Sequence, residues 1–249
     1  MKNSTRNIAV IYGVVLAAGV VTIIPVLKHI EPAVFTSPAY LISITVPFFV
    51  VAITLIAQNE LSPGVIIWGS ALGVLLSSIP LFLNQQLSVI APEGSIQSLM
   101  VFTPGTEELV KGLAVALAGI GVKKKSSGLA LGAVSGFGFA AFENSVLLSV
   151  NLFFLHGVAR VSVSTIHVIT GAVFGYYLIS SKETEKTYLT TLKGYLLAWL
   201  LHAGNNAVSL MPSSAVRKAI ALGLITASFL VFLHLLDWRE LIGLKSGAL

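Results

Sequence analysis

Acidic and imidazole side chains recur inside four apolar stretches in the second half of the chain. They are Glu107 and Glu108 in the first stretch, Glu143 in the second, His167 in the third and His202 in the fourth. A charge at the centre of a bilayer costs about 2.5–3.5 kcal/mol by insertion scales, so ionisable residues in such places are functional hypotheses by default. Carboxylates together with imidazoles suit the activation of water, because a glutamate poised by burial and a nearby cation can act as a general base.

A lysine accompanies the glutamate pair. Lys111 follows Glu107 by four residues and therefore lies on the same helix face. Its ammonium group can neutralise a carboxylate that would otherwise be costly inside a membrane. Glu107 and Glu108 are about 100° apart around a helix axis, so both cannot point squarely at one centre. The sequence leaves open which of them acts on water.

An arginine and an amide share helix faces with the two histidines. Arg160 precedes His167 by seven residues, and Asn206 follows His202 by four. Members of each pair lie on one face of a helix. His202 and Asn206 could donate hydrogen bonds to the negative charge that develops on an attacked carbonyl oxygen.

Four more residues are expected to shape the surroundings of this site. Phe139 lies four residues before the glutamate of the second stretch, which places an aromatic ring next to that carboxylate, and Asn144 can hydrogen-bond between helices. Gly171 and Gly175 continue the histidine face of the third stretch in steps of four. They would let a neighbouring helix or a substrate approach closely.

The same side chains also suggest a metal alternative. Glu143, His167 and His202 form a candidate trio of zinc ligands, and a bound zinc ion would activate water. The three residues come from separate stretches, so their spacing gives this alternative little support. The motifs His-Glu-Xaa-Xaa-His and Gly-Xaa-Ser-Xaa-Gly are absent from the chain.

The composition indicates that a membrane domain positions these residues. Hydrophobic residues make up 55% of the chain and charged residues only 10%, and the mean hydropathy is +0.92. Soluble proteins carry about 25% charged residues. The absence of cysteine excludes disulfides, thiolate metal sites and a cysteine nucleophile. The net charge of +5 reflects loop lysines and arginines next to a lipid bilayer rather than a nucleic-acid partner.

The apolar stretches predict an all-α polytopic membrane protein with about eight transmembrane helices, since each span needs about 20 mostly apolar residues. The predicted spans are Ile8–Leu27, Tyr40–Ala57, Gly64–Leu83, Ile96–Val122, Leu129–Leu148, Val158–Ser180, Leu189–Leu210 and Val216–Leu236. We expect one transmembrane domain, residues 1–249, with the first three helices in 1–90. The fourth to seventh helices form a polar catalytic core in 96–210, and 216–249 hold the last helix and a cytoplasmic tail.

Two details of this arrangement follow from single residues. Pro104-Gly105 predicts a break in the fourth span, or a short re-entrant piece followed by a helix that starts near Thr106. Most lysines and arginines lie on one side when the N-terminus is placed inside, and the positive-inside rule therefore predicts a multi-pass plasma-membrane protein with both termini cytoplasmic. The acidic and imidazole residues then lie on the order of 12–15 Å below the outer surface.

Taken in order, the motifs resemble those of the PrsW family of polytopic intramembrane proteases. Glu-Glu-Xaa-Xaa-Lys begins at Glu107, and Phe-Xaa-Xaa-Xaa-Glu-Asn begins at Phe139. Arg160 then precedes His167, and His-Xaa-Xaa-Xaa-Asn begins at His202. The family is distantly related to the type II CAAX prenyl endopeptidases.

This resemblance covers roughly residues 100–210 and implies an endopeptidase. Its expected substrate is a membrane-anchored protein cut near the extracellular face, as in the first cleavage of an anti-sigma factor. The resemblance implies that Glu107 or Glu108 activates water, and that His202 and Asn206 bind the scissile carbonyl. The related prenyl endopeptidases resemble glutamate-dependent enzymes, which favours a mechanism without a cofactor and leaves zinc as the alternative.

The resemblance assigns the remaining polar residues less firmly. Lys111 would support the glutamate pair. Glu143 stands where the prenyl endopeptidases carry a histidine, a departure that matches the PrsW branch and speaks against a prenylated substrate. His167 would then supply an imidazole from the next helix.

Two other classes of protein use the same residue types. An ion- or proton-coupled transporter also needs buried acids and histidines, and a broken helix can form its binding site. The sequence shows no inverted repeat, which counts against this alternative. A scaffold without catalysis that holds a partner helix is the second alternative.

Overall fold

The computed structural model describes residues 2–57, 61–149, 154–184, 187–212 and 215–236, and these ranges contain α-helices and no strand. The helices are α1 (Lys2–Leu27), α2 (Pro38–Ala57), α3 (Pro63–Leu76), α4 (Ser78–Leu87), α5 (Thr103–Ala118), α6 (Lys125–Ser149), α7 (Phe154–Ser180), α8 (Thr187–Ser209) and α9 (Ala215–Leu235). The predicted all-α class is confirmed. The predicted cytoplasmic tail, residues 237–249, lies outside the described residues.

Four of the described segments are long and apolar enough to cross a membrane. They are Pro38–Ile56, Pro63–Leu87, Lys125–Ser149 and Arg160–Glu183. The segments Gly13–Leu27 and Ala219–Leu235 are apolar but shorter. The chain is therefore a helical membrane protein.

The third predicted span is divided into α3 and α4 at Ser77. Hydroxyl groups bond back to the preceding turn here, since Ser77 Oγ donates to Val74 O at 2.6 Å and Ser78 Oγ to Leu75 O at 2.9 Å. Such bonds bend helices. Pro80 adds to the effect because it has no N–H to donate within the first turn of α4.

The fourth predicted span begins as a π-helical turn, Ser98–Phe102, and continues as α5 from Thr103. Pro104 lies in the first turn of α5, where a proline is tolerated. The helix therefore starts earlier than the predicted position near Thr106, whose hydroxyl donates to Phe102 O at 2.9 Å. The two glutamates consequently lie in the second turn of α5.

α6 and α7 form the central pair of the fold, and glycines set their spacing. Gly128, Gly132 and Gly136 on α6 face Gly171 and Gly175 on α7. A Cβ atom added to Gly132 would lie 2.0 Å from the carbonyl oxygen of Gly171, and one added to Gly175 would lie 2.3 Å from that of Gly128. These glycines serve the close approach of a neighbouring helix, which is one of the two uses that the sequence suggests for Gly171 and Gly175.

The other core helices pack around this pair. α3 lies against α6, where Gly73 meets the backbone of Ser135, and α5 lies against α7, where Gly112 meets the ring of Phe174. α5 also contacts α6 and α8, and α8 contacts α7. This arrangement directs side chains from α5, α6, α7 and α8 into one shared interior region.

Candidate active site

The structure brings together five acidic and imidazole side chains from four helices. Glu107 and Glu108 come from α5, Glu143 from α6, His167 from α7 and His202 from α8. The two imidazole rings meet edge to face with their centroids 4.9 Å apart. Charge contacts connect all five side chains, so residues that are almost a hundred positions apart in the sequence form one cluster.

Glu108 is the most fully bonded carboxylate of this cluster. Its Oε1 atom accepts hydrogen bonds from Lys111 Nζ at 2.5 Å and from Thr170 Oγ1 at 3.0 Å, and it lies 2.7 Å from His202 Nδ1. Its side chain is fully buried. Glu108 therefore fixes the lysine and one histidine in place.

Like Oε2 of Glu108, the Oε2 atom of Glu107 is buried without a hydrogen-bond partner, but it faces two imidazole rings. This oxygen lies 3.5 Å from His202 Nε2 and 3.9 Å from His167 Nδ1. The side chain is 6% exposed, whereas that of Glu108 is 0% exposed. Glu107 thus presents an unsatisfied acceptor to two imidazole rings.

Glu143 is paired with a cation and with an imidazole. Its Oε2 atom lies 2.7 Å from Arg160 Nη2 and 2.8 Å from His167 Nε2. These three atoms have no partner with hydrogen-bond geometry, so the contacts between them are charge contacts. Arg160 Nε also donates to Asn144 Oδ1 at 2.7 Å, which fixes the guanidinium group.

Asn144 ties three helices together beside this pair. It is fully buried, and its Nδ2 atom donates to Ser43 Oγ on α2 at 3.0 Å and to Ser164 Oγ on α7 at 2.7 Å. All of its polar atoms therefore have partners. This bonding suits a structural role next to the site.

Phe139 forms an apolar wall of the cluster. Its ring centroid lies 5.1 Å from that of His167, and Lys111 Nζ lies 5.5 Å from the ring. The spacing alone indicates a place beside Glu143, whereas these ring contacts are with the histidine and the lysine. An aromatic face near an ammonium group adds a favourable cation–π contact.

Asn206 is directed away from the cluster. Its Nδ2 atom donates to the backbone carbonyl of Leu99 at 3.0 Å, in the π-helical turn that precedes α5. The sequence predicts that Asn206 and His202 act together on a substrate carbonyl. In this structure His202 contacts the glutamates and Asn206 contacts the backbone.

Sequence reasoning missed Thr170, Ser164 and Ser43. Thr170 lies three residues after His167 and shares its helix face, and this signal could have revealed it. Ser164 likewise lies four residues after Arg160, to whose carbonyl its hydroxyl donates. Ser43 gave no signal, because its partner is 101 residues away.

The ring nitrogens of the two imidazoles have different kinds of partner, and an acceptor next to a ring nitrogen favours a proton on that nitrogen. His202 directs Nδ1 towards Glu108 and Nε2 towards Glu107. His167 directs Nε2 towards Glu143, and its Nδ1 lies 3.2 Å from Lys111 Nζ. The ammonium group of the lysine then donates to that ring nitrogen.

A set of possible metal ligands lies in the same place. One atom each from Glu107, His167 and His202 lies within 4.8 Å of the others, and within the described residues this is the group that has such spacing. Two histidines and a glutamate form a known set of ligands for catalytic zinc, and carboxylates on the second ring nitrogens are typical outer partners. The residue types therefore fit a zinc ion.

Two features of the cluster count against a bound zinc ion as the sequence suggests it. The carboxylate of the trio is Glu107, whereas the sequence suggests Glu143, which is paired with Arg160 instead. Lys111 Nζ lies next to His167 Nδ1, the ring nitrogen on the Glu107 side. An ammonium group there would repel a cation held by the histidine.

Comparison with known proteins supports a proteolytic site. No curated protein and no solved structure shows significant similarity to the chain. A family model described as PrsW family intramembrane metalloprotease matches residues 60–236, which is more than half of the chain and includes all of the clustered side chains. The match favours the protease over the transporter that the residue types alone leave open. The chain therefore belongs to the PrsW family of intramembrane proteases.

Proposed function

We propose that this protease cleaves membrane-anchored proteins near the extracellular face, with water activated by Glu107. The observation that carries the proposal is that the Oε2 atom of Glu107, one of two unsatisfied glutamate oxygens on α5, faces both His167 and His202. A buried acceptor without a partner is costly, so its retention calls for a ligand such as water.

The contacts of the two adjacent glutamates support the choice of Glu107. Glu108 already accepts hydrogen bonds from Lys111 and Thr170 and contacts His202. A general base must reach the water that it deprotonates. Oε2 of each glutamate lacks a hydrogen-bond partner, but Glu107 keeps a small exposed fraction and its Oε2 atom faces both imidazole rings, so it meets that requirement better.

The proposed reaction is a hydrolysis of a peptide bond with Glu107 as the proton carrier. Glu107 takes a proton from water while the water oxygen attacks the carbonyl carbon. It then returns the proton to the amide nitrogen, and the carbon–nitrogen bond breaks. A protonated His202 would donate through Nε2 to the carbonyl oxygen, since its Nδ1 is held by Glu108.

Other residues in the proposal position these groups. Lys111 balances the charge of Glu108 and contacts His167. Arg160 and Glu143 hold the opposite edge of the His167 ring. In the proposal, substrate approaches from the outer-leaflet side of the cluster towards the small exposed fraction of Glu107.

The arrangement in the membrane forms part of the proposal. We infer eight spans in the plasma membrane with both termini in the cytoplasm. The four long apolar segments and the shorter apolar stretches of α1 and α9 support this arrangement. The distribution of lysines and arginines supports the orientation. The partners would be the lipid bilayer and a single-span substrate protein.

A zinc-dependent form of the same activity is the second candidate, because Glu107, His167 and His202 fit such an ion. Zinc held there would supply Lewis-acid activation of water. Lys111 beside His167 Nδ1 favours the form without metal.

Mapping of new protein N-termini in host membranes tests the proposal. Cells that produce the wild type, Glu107→Gln or Glu93→Gln are compared, and Glu93 serves as the matched control because it is exposed and outside the site. Wild type and control should yield termini just outside predicted spans. Glu107→Gln should reduce their rate of formation by about 10²–10⁴-fold, the range of general base catalysis.

Each contrary outcome has a definite meaning. Full cleavage by a folded Glu107→Gln protein would show that Glu107 is not the base. The absence of any termini that depend on the wild type would count against cleavage of host membrane proteins near their spans.

A further inference from the structure

The turn that precedes α5 lacks one backbone hydrogen-bond donor. The N–H of Thr103 donates to the carbonyl of Ser98, which is the i→i−5 pattern of a π-helix. In the same pattern the carbonyl of Leu99 would receive the N–H of residue 104. That residue is Pro104, which has no N–H. The proline therefore leaves the Leu99 carbonyl without its donor from the helix.

Asn206 supplies the missing donor from another helix. Its Nδ2 atom lies 3.0 Å from Leu99 O, and both residues are partly buried. Inside a membrane a free carbonyl has no water to bond with, so side chains of neighbouring helices commonly satisfy the groups that a proline leaves unpaired. The hydrogen bond from Asn206 to the Leu99 carbonyl is a contact of this kind.

A second residue of α8 holds the other side of the proline. Tyr195 Oη donates to the carbonyl of Gly105 at 3.3 Å. Tyr195, His202 and Asn206 are separated by steps of seven and four, so they lie on one face of α8. That face therefore contacts α5 and its preceding turn on both sides of Pro104, and it also carries the histidine that contacts both glutamates.

We propose that Asn206 is a positioning residue, which replaces the donor missing at Pro104 and thereby fixes Glu107 against His202. This inference rests on the proposed function of Glu107. It differs from the expectation that the Asn206 amide binds the scissile carbonyl. The hydrogen bond between Asn206 and Leu99 would maintain the 3.5 Å separation between Glu107 Oε2 and His202 Nε2.

The proposal predicts that Pro104 and Asn206 are energetically coupled. Alanine at position 104 restores an N–H to the turn, which can then satisfy its own carbonyls. Asn206→Ala should therefore be harmful with Pro104 present and nearly harmless in the Pro104→Ala background. If Asn206 instead binds substrate directly, Asn206→Ala should lower the cleavage rate by the same factor in both backgrounds.

The experiment is a double-mutant cycle with two readouts. Initial rates of cleavage are measured in membranes as the yield of new N-terminal peptides by mass spectrometry, and melting temperatures are measured on purified protein in detergent without substrate. Asn206→Ala alone should slow cleavage by about 10–100-fold, the effect of a displacement near 1 Å. Asn205→Ala is the matched control, since it changes the same residue type next along the helix.

The two readouts separate this inference from the proposed function. Rescue of both rate and melting temperature by Pro104→Ala is the expected result. Equal rate losses in both backgrounds would overturn the positioning role, even if the melting temperatures are coupled. If Glu107→Gln cleaves normally, the proposed base is wrong. The coupling in melting temperature would still report whether Asn206 compensates for Pro104.

Discussion

Replacement of Gly136 by alanine should disable the protease without touching a charged residue. A Cβ atom at this position would lie 2.2 Å from the carbonyl oxygen of His167, whereas ordinary contact begins at 3.4 Å. The three atoms nearest to this Cβ atom are backbone atoms of α7, so no flexible side chain can move away to relieve the clash. α6 and α7 must separate by about 1.2 Å to reach ordinary contact, since overpacked interiors respond through backbone shifts.

This separation acts directly on the site because each of the two helices carries one member of a contacting pair. Glu143 on α6 and His167 on α7 are 2.8 Å apart. A shift of that size would lengthen their contact to about 4 Å, the outer limit of a close ion pair. Misplacement by about 1 Å can cost about 10²-fold in rate. The corresponding loss of transition-state stabilisation is about 2.7 kcal/mol.

The assay compares initial cleavage rates of the wild type, Gly136→Ala and Gly223→Ala at equal amounts of folded protein. Gly223 lies in the helical interior of α9, and an added Cβ atom would meet nothing within 4 Å. This control makes the same chemical change in a helix without the clash. Wild-type activity of Gly136→Ala would refute the argument that the spacing between α6 and α7 sets the geometry of the site.

Two further predictions concern the metal and the membrane. Purified wild-type protein should keep its cleavage rate after prolonged dialysis against EDTA; loss of activity that zinc restores, with zinc bound near one ion per chain, would contradict the mechanism without metal. The chain has no cysteine. A cysteine at Val89, which is 89% exposed, should therefore react with an impermeant maleimide in intact cells, and one at Lys123 should react only after lysis. The reverse pattern would contradict the proposed orientation.

The sequence predicted the fold class well because hydrophobic runs report membrane helices directly. The helix α2, for example, starts two residues before the predicted span and ends at the predicted residue, Ala57. It did not predict the division between α3 and α4. Ser77 and Pro80 bend this segment through local backbone bonding, and neither residue interrupts its apolar composition.

The site was predictable to the extent that its members are costly in a membrane. Glu143 and His202 stand out from apolar surroundings, so the sequence alone could nominate them. Their individual partners were not predictable. The position of Asn206, four residues after His202, predicts an interaction with the substrate, and that role stays a prediction. In the structure its amide donates to the carbonyl of Leu99, which is 107 residues away in the sequence and lies in the turn next to Pro104.

The two adjacent glutamates show how such a site can place both carboxylates near one group. Helix geometry separates Glu107 and Glu108 by about 100°, so they cannot both point at a single atom. The imidazole of His202 resolves this constraint because it has two nitrogen atoms on different edges. Nδ1 lies 2.7 Å from Glu108, and Nε2 lies 3.5 Å from Glu107. Glu108 thereby fixes the ring through one edge and directs the other edge towards Glu107. A substitution at Glu108 would consequently affect the proposed base through this ring, and the two glutamates would act as one unit rather than as alternatives.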